Sequence, residues 1–193
     1  MPKSVKPRPL RSRDVLRGAQ DWVLQEIIAL RMCAEAHQKI RRWSPEYTIL
    51  RNALILSFAV HFRNVFDFLY APDQPKEDDI IAEDFFRGPA TWPTLRPQKS
   101  DFLASEKTRL HKQQAHITYE RLGRSTIKAT WDFSKILNEL SSPLQVFYSN
   151  VDSKFLTAGT LKEFEADTWK RRIKLQSKQS SVGAFYRRIL RRK

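Results

Sequence analysis

The chain has 193 residues, 41% hydrophobic and 29% charged, with a formal net charge of +14. That length and apolar content suffice for one sizeable core in a single domain. The lone cysteine, Cys33, excludes an internal disulfide and a cysteine-built zinc site, and suits a reducing compartment. The sequence contains no phosphate-cradling glycine loop, which removes the common nucleotide-binding folds.

The charge is unevenly placed. Residues 1–17 carry six Lys/Arg and one Asp, and residues 170–193 carry ten Lys/Arg and no acid. The 19 basic and 20 acidic groups left between them almost cancel. Cationic ends on a neutral body attract nucleic acid, anionic lipid or acidic proteins through a long-range, salt-sensitive field. The longest apolar run, residues 53–60, falls far short of the roughly 18 residues of a membrane span. The basic start lacks the apolar stretch of a secretory signal, so a cytoplasmic location is expected.

In chain order, residues 1–11 read as a basic extended arm broken by Pro2, Pro7 and Pro9. Ser12 or Asp14 caps a first helix to about Arg41, with Leu16, Val23, Ile27, Leu30 and Ala34 on its core stripe. Ser44-Pro45-Glu46 starts a second helix to about Tyr70. Leu50, Leu54, Phe58, His61, Val65 and Leu69 form its stripe, which predicts a central position in the bundle. Arg63 and Asp67 are spaced for an ion pair within it.

Residues 71–99 hold five of the ten prolines and predict a long insertion. Within it, the acid-rich stretch from Glu77 to Phe86 suggests a short helix, and Trp92 and Leu95 suggest anchors to the body. Ser100 caps a third helix from Asp101 to about Leu122 with a seam of Leu103, Leu110 and Ile117. A fourth covers Thr126 to Ser141, with Ser142-Pro143 interrupting or restarting it. Thr160 to Glu163 has capping-box spacing and opens a last helix to about Leu175, before a basic tail over residues 176–193. The expectation is an all-α bundle of about five main helices, one domain over residues 12–175.

The four histidines show no i, i+3 or i, i+4 pairing that would point to a metal, and no cofactor is expected. Arg109 and His116 lie seven residues apart, on one face of the third helix. They read either as ordinary helix surface or as a guanidinium that holds a phosphate beside an imidazole that moves a proton. The Arg-x6-His spacing resembles the motif of the HEPN superfamily, helical bundles that include many metal-independent ribonucleases of bacterial stress and defence systems. That resemblance implies Arg109 on the scissile phosphate and His116 as general acid or base, in a site usually formed across a homodimer. Leu110 stands where the family usually carries a polar residue.

His61 reads either as a hydrogen-bonded core histidine or as a third catalytic group facing the third helix, near His116 or Tyr119. Residues 57–70 and 115–121 also resemble segments of small bacterial helical proteins, a likeness that carries no activity. Arg171, Arg172, Lys174, Lys178, Arg187, Arg188, Arg191 and Arg192 suit contact with a phosphate backbone, RNA or other nucleic acid, without base reading. Two function classes stay open. One is a HEPN-like protein that binds or cleaves RNA. The other is a non-enzymatic helical protein whose basic ends hold nucleic acid or an acidic partner.

Overall fold

The computed structural model describes residues 9–40, 44–87, 91–114, 131–157 and 160. Among the described residues, five α-helices have a defined range: α1 (Arg13–Lys39), α2 (Pro45–Leu69), the single turn α3 (Trp92–Leu95), α4 (Asp101–Gln114) and α5 (Phe133–Asn150). Two 3-10 turns, Ala82–Phe85 and Ser153–Phe155, complete them, and the described residues contain no strand. The protein is all-α, and none of these helices is long and apolar enough to cross a membrane.

Side-chain caps set the starts. Ser12 Oγ accepts from the Val15 N–H at 3.3 Å, and Ser44 Oγ accepts from the Tyr47 N–H at 3.4 Å ahead of Pro45. Asp132 Oδ1 accepts from the Lys135 N–H at 2.9 Å and opens α5. Each satisfies a backbone donor that the first turn leaves without a helical partner. The predicted stripe of α1, from Leu16 to Ala34, is buried throughout. α1 lies lengthwise against α2, the most extensive helix contact among the described elements.

α2 departs from expectation on its outer side. Phe58, Phe62, Val65, Phe66, Phe68 and Leu69 are buried, whereas Ile49, Leu50, Leu56 and Val60 are exposed. The helix is apolar on two sides and the core takes only one. The predicted Arg63–Asp67 pair also gives way. Asp67 instead receives Lys107 from α4, whose ammonium lies 4.9 Å from the Phe66 ring centre. A cation shared between a carboxylate and an aromatic face ties α4 to α2.

The break predicted at Ser142-Pro143 does not occur, and α5 runs through Pro143 to Asn150. Pro143 is buried beside Leu140, Leu144 and Phe147, so packing offsets the backbone hydrogen bond that proline removes. The helix expected from Glu77 is also absent apart from its 3-10 end at Ala82–Phe85. Asp79 instead accepts the Lys76 N–H at 2.7 Å, closing a turn with a side chain that would otherwise dress a helix N-terminus.

The anchors of this connection behave as expected. Trp92 is buried, and its Nε1–H donates to the Leu69 carbonyl at 2.7 Å, satisfying an orphan acceptor at the end of α2. Around Phe147 stand Phe68, Phe85, Phe86 and Trp92, with ring centres 5.0, 5.6, 5.8 and 5.6 Å away. These are edge-to-face distances and angles. They join α2, the connection and α5 in one aromatic core.

Candidate functional site

Arg109 sits on α4, one residue round from the core seam of Leu103 and Leu110. Ser100 Oγ starts that helix by accepting the Leu103 N–H at 3.2 Å. Leu110 is buried, which accounts for an apolar residue beside Arg109. The Arg109 Nε–H donates to Glu106 Oε2 at 3.0 Å, and Nη2 donates to the same oxygen. The guanidinium carbon lies 3.5 Å from the centre of the Trp131 ring. Only 16% of the Arg109 side chain and 13% of Glu106 remain exposed. A carboxylate one turn back neutralises the arginine, and the indole covers one of its faces.

His116, the predicted partner of Arg109, lies outside the described residues. The cationic set Arg171, Arg172, Lys174, Lys178, Arg187, Arg188, Arg191 and Arg192 does so as well.

His61 is placed, and its partner comes from α1. Its Nδ1 lies 2.8 Å from Glu26 Oε2, and Asn64 Nδ2 donates to that oxygen at 3.0 Å. The residues expected opposite, His116 and Tyr119, are outside the described part, and the α2–α4 contact is made instead by Asp67 and Lys107. A carboxylate can only accept, so Nδ1 is the donor in this contact, and the hydrogen bond fixes the orientation of the ring. About a quarter of each side chain is exposed, 24% for His61 and 29% for Glu26. An imidazole oriented by a carboxylate and still open to solvent can exchange a proton with a bound molecule.

Comparison with known proteins gives one result. No family model, curated protein or solved structure matches this chain.

Further along the same seam, Cys33 Sγ lies 3.3 Å from Ser57 Oγ, and the thiol is buried. Glu26 and Cys33 are seven residues apart on α1, as are Ser57 and Asn64 on α2, with His61 between. These matched polar stripes at heptad spacing are the signal that identifies Glu26, which reading α1 by its apolar stripe alone misses. Deeper in the core, Gln20 Nε2 donates to the Tyr148 hydroxyl at 2.6 Å. Burial raises the Tyr148 pKa far above its ordinary value, so this phenol stays neutral. Among the described residues, no group of three His, Cys, Asp or Glu side chains is arranged to hold a metal ion.

Proposed function

We propose that this protein holds the phosphate backbone of a nucleic acid, RNA in the first instance, through its cationic ends, with the helical body as their carrier. The observation behind this reading is the placement of charge. Residues 170–193 have ten Lys/Arg and no acid, while the body is close to neutral. Three cations of the body are engaged locally: Lys107 with Asp67, Arg109 with Glu106, and Lys154 with Asp152. The ends therefore dominate the field that a polyanion meets.

The test is a fluorescence-anisotropy titration of labelled single-stranded RNA with the full chain, repeated from about 50 to 200 mM salt. Affinity falls at least tenfold across that range, and deletion of residues 176–193 weakens binding and flattens the salt slope. Unchanged binding after the deletion overturns the proposal. Equal affinity for RNA and polyglutamate favours an acidic protein partner instead.

A second reading, metal-independent RNA cleavage of the HEPN type, draws support from the geometry of His61. In it Arg109 holds the phosphate, His116 moves the proton, and His61 with its Glu26-anchored ring assists. It requires the Glu106–Arg109 pair to open toward the substrate. Cleavage of labelled RNA in EDTA, lost in Arg109→Ala and His116→Ala proteins that keep their helical content, is the expected result. RNA left intact by the full chain, or cleavage indifferent to both substitutions, removes this reading.

A further inference from the structure

The solvent side of α1 carries an apolar stripe that none of the described residues covers. Gly18, Trp22, Gln25, Ala29 and Met32 follow one another at intervals of four, three, four and three residues, the spacing of a helix–helix seam. They lie opposite the buried stripe of Leu16, Val23, Ile27, Leu30 and Ala34. Trp22 is 64% exposed and Met32 62%. The stripe contains no charged residue, in a protein whose residues are 29% charged.

α2 widens this surface. Cys33 faces Ser57 and Glu26 faces His61 across the α1–α2 seam. Met32, Leu56 and Val60 each precede one of these seam residues, so all three point to the same outer side. Leu56 and Val60 are 47% and 54% exposed, and Ile49, further along α2, is 70% exposed. With Trp22 and Met32 they offer roughly 600 Å², against about 800 Å² per partner in a stable interface of ordinary size.

We propose that this face binds a second copy of the chain, α1 antiparallel to α1 about a two-fold axis at Gln25. The stripe is self-complementary under that operation. Gly18 meets the partner's Met32, seven residues to either side of Gln25, and Trp22, three residues before the axis, comes within one residue of the partner's Ala29, four residues after it. Each large side chain faces a small one, as interdigitating packing requires, and the two Gln25 amides meet on the axis, where each can donate and accept.

Gly18 supplies independent support. No atom lies within 4 Å of a β-carbon built there, so no described residue calls for glycine. Glycine inside a helix is destabilising relative to alanine, and close approach of a second helix is a reason to keep it. Arg109 is on α4 and plays no part in this interface. The stripe also contains none of the cations of the nucleic-acid reading, so the inference does not rest on that reading.

Sedimentation equilibrium of the full chain without RNA, up to about 100 µM, tests it. The expected mass is twice that of the 22.7 kDa chain. Met32→Glu and Gly18→Arg each weaken association at least tenfold while leaving circular dichroism and thermal unfolding of the protomer intact. In a Cys33→Ala background, Gln25→Cys oxidises to a covalent dimer, whereas Arg17→Cys, off the stripe, does not. A single-chain mass at the highest concentration overturns the proposal. So does a dimer indifferent to both charged substitutions, or equal cross-linking at positions 17 and 25.

Discussion

A guanidinium stacked on an indole and paired with a carboxylate one turn back has little freedom, and Arg109 is in that state. Trp131→Ala removes both the cation–π contact and the packing of the ring, and should lower stability by about 1–3 kcal/mol in urea unfolding. Glu106→Gln gives the complementary result. It restores the net charge of Arg109 and should strengthen RNA binding only if that side chain meets phosphate. His37 makes a different prediction. Its ring sits edge-on to Phe133 with centres 4.8 Å apart, and burial first, then the charge of Arg51, lowers its pKa below the ordinary 6.5. The unfolded chain therefore takes up a proton at a higher pH than the folded one. Stability should decline as pH drops below about 6.5 and level off once the folded ring also protonates. Comparing the urea midpoints of wild type and His37→Gln between pH 7 and 5 isolates this term, and the variant should show the smaller decline. At this scale the sequence supplied candidates rather than partners. Arg109 and His61 could be singled out, but Glu106, Trp131 and Glu26 became their partners only through helix spacing and packing.

Helix ends and faces behave more regularly than single polar groups. Ser12 and Ser44 can be read as caps in the sequence because a hydroxyl before an acid-bearing first turn has one obvious acceptor role. Asp132→Ala should cost about 1 kcal/mol, measured as a fall in thermal midpoint with the α5 signal. Trp92→Phe keeps the ring but orphans the Leu69 carbonyl, with a cost of about 1–3 kcal/mol, partly offset by the Arg96 Nη1 that lies 3.4 Å from the same oxygen. Two features at this scale could not be read from local pattern. Pro143 stays helical because its ring is buried, a tertiary effect that a proline rule cannot contain. α2 is apolar enough to suggest full burial, yet a helix with apolar residues on two sides does not reveal which side the core will occupy.

At the scale of the whole molecule, one aromatic cluster joins parts of the chain that are far apart in sequence, Phe68, Phe85, Trp92 and Phe147. Phe147→Ala should cost about 3–5 kcal/mol, a large fraction of the 5–15 kcal/mol typical of a domain, and should leave a protein close to unfolding at room temperature. The all-α class was legible in composition and periodicity because both report on local backbone preference. The neutrality of the body was equally legible, since charge can be counted without a fold. A two-fold molecule would display both properties twice, with two sets of cationic ends available to one polyanion, and avidity would then depend on their separation. The placement of Trp92 has a consequence for observing the protein as well as for holding it together. An indole fixed by a 2.7 Å hydrogen bond and packed edge-to-face on Phe147 is in a rigid chiral environment. It should contribute strongly to the near-ultraviolet circular dichroism. Disappearance of that band on acidification or mild heating, with the far-ultraviolet helix signal retained, would mark a compact state in which the helices persist and the connection has come away from the core.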